Sequence, residues 1–161
     1  MEIERKFLVR RDDTFRSMAT SSSTIAQGYM DVRGATVRIR LRDDKAYLTI
    51  KSPSYDGGLS RYEFERVIPV EDAREMLKLC RGGLIEKVRF IVPYEGHIWE
   101  VDEFHGVNEG LLFAEVELER PDEPVTLPPF VTREVTGNKH YYNRNLLSNP
   151  YPNWKDSEAE E

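Results

Sequence analysis

Cysteine is almost missing from this chain: Cys80 is the only one in 161 residues. No intrachain disulfide can form and no cysteine cluster can hold a metal. A reducing cytoplasm is the expected compartment. Histidine is nearly as scarce. His97, His105 and His140 do not have metal-ligand spacing, and no HExxH occurs. No apolar run approaches the length of a membrane span and no signal-like segment opens the chain, so no membrane association is expected. Basic charge is also in deficit, with 23 Lys and Arg against 29 Asp and Glu, a net charge of −6. A protein that holds nucleic acid by its overall field should be basic, so no nucleic-acid partner is expected. A local basic pocket for a small anion stays compatible with these totals. GLSRYE has no phosphate-loop pattern, and Gly57 and Gly58 read as turn residues.

Charged residues make up 32% of the chain, and the 11% aromatics suffice for a core. The length fits one domain, expected over 1–147, with 148–161 as a partly disordered tail ending in acidic KDSEAEE. Alternation predicts eight strands, over 2–8, 26–32, 36–42, 45–52, 60–69, 86–94, 97–104 and 112–119. A short helix is expected over 12–19, capped by Asp12 or Asp13. A second is expected over 71–81, with Ala73, Met76, Leu77 and Cys80 on one face and Gly82 and Gly83 ending it. TREVTGNKHYYNRNLL reads as two short helices around Gly137. The fold class is therefore α+β, dominated by antiparallel sheet.

One face of nearly every strand is charged. Glu2, Glu4 and Lys6 share a face, as do Arg38, Arg40 and Arg42, then Thr49 and Lys51, then Glu63 and Glu65. Lys87 and Arg89 follow, then Glu100 and Asp102, then Glu115, Glu117 and Glu119. An antiparallel sheet with one wet face alternates in the same way. A wet face mixes its charges, however, and here the signs are sorted by strand, with Lys6 the exception. Eight strands are about enough for a sheet to close into a barrel. With the charged faces inward, outer helices must cover the apolar faces, and any uncovered remainder suggests a homodimer interface. A chamber holding both signs needs water, cross-pairing or a ligand. Arginine forks match phosphate oxygens, and carboxylates match hard divalent cations. A triphosphate chelated to Mg²⁺ or Mn²⁺ needs both. Its chemistry is mainly positioning and charge neutralisation.

These segments resemble the CYTH superfamily, the triphosphate tunnel metalloenzymes, from residue 1 to about 147. EIERK reads as the family's ExExK strand, RIR as its paired arginines, and LTIK, YEFE, EKVR and WEVDEFHGVNEGLLFAEVEL as further segments in order. AQGYM and GNKHYYNRNLL also look like family segments. The resemblance implies an eight-stranded antiparallel β-barrel, a tunnel with a charged interior and a few outer and end-capping helices. It implies two ions, Mg²⁺ or Mn²⁺, one held by Glu2, Glu4, Glu115 and Glu117. A second near Glu63, Glu65 and Asp102 would activate the attacking water. Lys6, Arg38, Arg40, Lys51, Lys87 and Arg89 would grip phosphates and serve catalysis. The C-terminal helix would close one end, bringing Lys139 or Arg133 to the substrate. For Tyr29, lining the tunnel and packing in the core are both open. Little sequence precedes ExExK to build a nucleotide or thiamine pocket, so hydrolysis of inorganic triphosphate is the expectation. A class IV adenylate cyclase and a thiamine or nucleoside triphosphatase are the enzyme alternatives. A non-catalytic polyphosphate- or nucleotide-binding module is the alternative of another class.

Overall fold

Period-two alternation builds ten strands. They are β1 Glu2–Val9, β2 Ser21–Met30, β3 Thr36–Arg42, β4 Lys45–Lys51, β5 Ser60–Arg61, β6 Glu63–Ile68, β7 Arg81–Tyr94, β8 His97–His105, β9 Leu112–Leu118 and β10 Val131–Glu134. The computed structural model describes residues 2–155 apart from Asp31, Tyr55, Asp56, Gly58 and Arg144. The expected turn at Gly58 and the end of the expected tail, 156–161, lie outside the described residues.

All pairings are antiparallel, in the order β10-β1-β9-β8-β7-β2-β3-β4-β6, with β5 returning to β1. The segment 60–68 therefore joins both ends of the sheet. Its later part, β6, pairs with β4, and its first two residues, β5, pair with β1. The result is a nearly closed barrel with eight staves, counting β5 and β6 as one, and β10 added on the edge of β1.

Ten strands stand where eight were expected, for two reasons. The strand predicted over 60–69 breaks at Tyr62, where the chain changes partner; Tyr62 there receives a backbone bond from Ser52 N (3.0 Å). The first helix expected around Gly137 is instead β10, which pairs with Phe7 and Val9 on the edge of β1 that β5 leaves open. β-Branched Val131 and Thr132 suit that extended backbone. The rest of that C-terminal stretch is a 3₁₀ turn at Lys139–Tyr141 and a short helix, α3, at Asn145–Ser148.

The helices pack where the pattern puts them. α1, Thr14–Met18, buries Phe15 against Phe90 and Phe130. Asp12 accepts a bond from Thr14 N (3.0 Å), while Asp13 makes no side-chain cap. α2, Val70–Leu77, seats Ala73, Met76, Leu77 and the following Cys80 on Ile39 and Ala46 of β3 and β4. It stops short of 81: Gly82 and Gly83 belong to β7, with φ of +80° and +90°. The β7–β8 hairpin turns on Glu95 and Gly96, both at positive φ, the twist-matched two-residue turn.

The apolar strand faces point outward and are covered from within the chain. Ile3, Phe7, Trp99, Val101, Val116 and Leu118 lie beneath Phe15 and Phe130. At one end of the barrel Phe104, Phe113 and Ile85 meet Tyr141, Leu146 and Trp154 of the C-terminal segment, which caps that end. Burying a side chain of this size contributes about 1.5–3 kcal/mol, so both clusters hold the barrel shut around its polar interior.

Candidate active site

Since the outer faces are apolar, the charged rows face inward. They line a cavity of about 890 Å³ inside the barrel. Among the described residues, nine basic and six acidic side chains line it. The protein is net −6, yet its interior is net positive. A small polyanion is the complementary guest.

The basic residues differ in how firmly they are already held. Arg89 grips Asp102 with two bonds (Nε–Oδ1 2.7 Å, Nη2–Oδ2 2.8 Å) and reaches Glu100 (3.2 Å). Lys87 shares Asp102 (2.8 Å) beneath Asn143 (3.5 Å), with the Phe104 ring 5.2 Å away. Lys87 and Asp102 are both about 1% exposed. Burial, with Arg89 and Arg40 close by, lowers the Lys87 ammonium to about 7 against the pull of Asp102. Burial opposes the charge of Asp102, but Arg89 and Lys87 win and hold it far below the usual carboxylate range. Asp102 therefore spends both oxygens on cations. It stands on β8, three staves from Glu63 and Glu65, and is not gathered with them.

Arg40 and Arg38 have fewer partners. Arg40 donates Nε to Gln27 (2.7 Å), and Gln27 in turn donates to the hydroxyl of buried Tyr29 (2.8 Å). Among the described residues no carboxylate pairs with Arg40, and burial beside Arg38 and Arg89 lowers it to about 9. Arg38 bonds Thr49 (3.1 Å) and Glu65 (3.4 Å), and its buried Nε has no partner among the described residues. An unmatched buried guanidinium is costly and asks for an anion. Lys6 donates to the carbonyl of Tyr141 (3.0 Å) over the Phe113 ring. Lys51 bridges Glu2 (3.1 Å) and Glu63 (3.3 Å).

The acids converge in pairs. Burial works against the charge on Glu2, but Lys51, a hydrogen bond with Glu63, and Arg61 outweigh it and hold Glu2 at about 2. Burial and neighbouring Glu115 push the Glu4 carboxyl well above its usual value. Burial opposes the charge of Glu115 too, but Lys6, the hydrogen bond from Glu4, and Arg89 hold it low. Glu4 and Glu115 are thus a hydrogen-bonded pair in which Glu4 is the more basic member. Among the described residues no three acidic or imidazole side chains stand together as a ready ligand set. Two carboxyl groups held this close are nevertheless a place where a cation can relieve their repulsion, and the oxygen-only donors suit a hard divalent ion. The residues present fit such an ion.

The remaining expected residues sit at the ends. Glu63 and Glu65 line one side of the cavity, and Glu65 is 42% exposed. Glu117 pairs in register with Glu4 but is exposed beyond the cavity wall. Lys139 reaches the lining from the C-terminal cap, whereas Arg133, on β10, stands outside it. Tyr29 is in both places at once, buried in the apolar cluster and lining the cavity. Arg42, at the end of β3, lines the wall, and Glu119 lies outside it. Arg61 is a residue the sequence reasoning missed. It holds Glu2 (3.0 Å) and stands 3.7 Å from Glu4. The signal was present: in SRYEFE, Arg61 alternates onto the face of Glu63 and Glu65.

Comparison with known proteins places this arrangement. The chain is 46% identical over 159 residues to an inorganic triphosphatase of Acetivibrio thermocellus, covering 96% of this chain and 98% of the relative. It is 34% identical over 151 residues to an inorganic triphosphatase of Nitrosomonas europaea, covering 90% and 95%. The crystal structure of an inorganic triphosphatase superposes with a TM-score of 0.61 at 29% identity, covering 91% of this chain and 97% of that one. The CYTH domain model matches residues 1–146, the stretch that carries every charged stave of the barrel, and the chain belongs to the CYTH domain family.

Proposed function

We infer that this chain hydrolyses inorganic triphosphate to pyrophosphate and phosphate inside the barrel, with a divalent metal. The observation that carries the reading is the net-positive interior cavity in an acidic protein, with hydrogen-bonded acid pairs along one side. Two relatives that match nearly full length are inorganic triphosphatases, and the family's triphosphatases depend on a metal.

Arg40 and Arg38 take phosphoryl oxygens first, because each holds a guanidinium that the resting protein leaves partly unmatched. Lys6 and Lys51 add point charges from β1 and β4. Arg89 presents a fixed fork, with Asp102 and Lys87 setting its orientation; Asp102 is a positioning residue here. Glu2, Glu4 and Glu115 hold one ion, and Glu63 and Glu65 hold a second; Glu117 guards the mouth on the Glu4 side. The ions, Mg²⁺ or Mn²⁺, supply neutralisation of the reacting phosphoryl group and an acidified water. Lys139 closes over the chain end from the cap. The substrate is thereby aligned and its charge met on all sides, which is most of what phosphoryl transfer requires.

Phosphate release from inorganic triphosphate, ATP and thiamine triphosphate, each with and without Mg²⁺ or Mn²⁺, tests this reading. Triphosphate should be turned over fastest, and only with metal. Full activity in excess chelator would sink the metal account. Cyclic AMP as the main product from ATP would point to a cyclase instead.

A further inference from the structure

Among the described residues, Arg61 is the one basic side chain that touches both acids of the first strand. Its Nε lies 3.0 Å from Glu2 Oε1 and its Nη2 lies 3.7 Å from Glu4 Oε1. The same contact crosses the barrel's closing seam. Among the described residues, β5 and β1 share only the pairs Glu2↔Arg61 and Ile3↔Ser60, with one further backbone bond from Glu4 N to Leu59 O (3.0 Å). Arg61 also faces the cavity, 24% exposed at its side chain, so its guanidinium can swing without unpacking a core.

We propose that Arg61 is a resident counter-ion, which yields Glu2 and Glu4 to a divalent cation and turns to a phosphoryl oxygen of the substrate. This rests on the reading that Glu2 and Glu4 are metal ligands. Like charges repel, so a dication on the same two carboxylates weakens the hold of the guanidinium, which touches both of them. Glu2 does not depend on Arg61 alone, because Lys51 still bonds both of its oxygens (3.1 Å each). Released, the planar fork of Arg61 meets a triphosphate in the same cavity. Metal loading then creates a phosphate contact, and triphosphate stabilises the released Arg61. The two ligands are coupled, and coupling of binding free energies is reciprocal.

Calorimetry separates this role from a simple seam clip. Mn²⁺ is titrated into wild type, R61Q, R61K and E4Q, alone and with saturating imidotriphosphate, a non-hydrolysable triphosphate. R61Q should bind Mn²⁺ alone more tightly, on the order of tenfold, because its competitor is gone. The gain in Mn²⁺ affinity caused by imidotriphosphate should shrink by a similar factor. R61K, which keeps a charge but no fork, should fall between wild type and R61Q. A seam clip predicts the reverse: weaker or unchanged Mn²⁺ binding in R61Q, intact coupling and a lower melting temperature. That result overturns the exchange. E4Q is the control on the underlying reading. If E4Q binds Mn²⁺ as wild type does, the acids are not ligands and both ideas fall. If E4Q loses binding and R61Q does not tighten it, the exchange alone fails.

Discussion

Single side chains in the tunnel should reveal their roles by which quantity they change. Arg40 meets no carboxylate among the described residues, so R40A removes a phosphate contact without freeing an acid. Hydrogen bonds to charged groups contribute roughly 1.5–3 kcal/mol, so triphosphate affinity should fall roughly ten- to hundredfold by calorimetry. E115Q should instead raise the metal concentration needed for turnover, and E117Q should do so less, since Glu115 is 8% exposed whereas Glu117 is open to solvent. Equal and metal-independent losses in all three variants would mean that structural charges had been mistaken for ligands. Lys87 supplies the pH test. Its folded pKa is near 7 and its unfolded value near 10.5, so between those pH values the unfolded chain binds more protons. Stability should rise as pH climbs through that window and decline as pH falls toward 7. Denaturant midpoints across the window should show that slope in wild type and lose it in K87M. At this scale the sequence was legible where a row was repeated: the inward acids and bases of β1, β3, β4 and β7 are where alternation put them, whereas of the β9 row Glu115 is inside and Glu117 is exposed. It was not legible where partners decide the role. Alternation places Asp102 inside, but only the fold shows both of its oxygens taken by Lys87 and Arg89.

At the level of elements, period-two patterning identified every stave but not the ends. β2 starts at Ser21 because Ser21, Ser22 and Ser23 pair with Ile91, Phe90 and Arg89, and a serine run carries no apolar alternation to announce a strand. β7 starts at Arg81 through two glycines that sequence reading spends on a helix end, since glycine signals both uses equally well. β10 is four residues long and is fixed by the free edge of β1, a long-range cause that no local window contains. The crossing of β2 and the start of β7 is tight. A Cβ on Gly28 would lie 2.9 Å from Cys80 Cβ, 3.0 Å from its Sγ and 3.1 Å from Leu84 Cδ2. Gly28 is buried beside the register shift between Gln27 and Tyr29, so the strands have little room to part. G28A should destabilise the fold by about 1–3 kcal/mol, as overpacking does. Chemical denaturation measures it, and an unchanged midpoint would show that Cys80 and Leu84 simply move aside.

The whole molecule is a positive chamber inside a negative shell, and its stability should follow its cargo. Without ligand, Arg40 lies buried beside Arg38 and Arg89 with no carboxylate partner among the described residues, the Arg38 Nε stands unmatched, and burial beside Glu115 pushes the Glu4 carboxyl up. The apolar outer faces cannot relieve this, since they already pack against α1, α2, the 119–130 stretch and the C-terminal cap. A triphosphate with its metal matches the charges in place, and any ligand selective for the folded state stabilises it by mass action. At a hundredfold excess over Kd that is about 2.7 kcal/mol, or several degrees in melting temperature for a chain of this length. Melting curves should therefore rise with imidotriphosphate and Mn²⁺ together by more than the sum of the two separate shifts. Sodium chloride at equal ionic strength should do much less, because screening acts on exposed charges and these are enclosed. A non-catalytic binding module would give the same shift, so the melt is read beside turnover of triphosphate: a shift without turnover under any divalent metal favours the module. No shift at saturating ligand would overturn the chamber itself, because nothing else in the molecule explains why cations outnumber acids along an interior wall of an acidic protein.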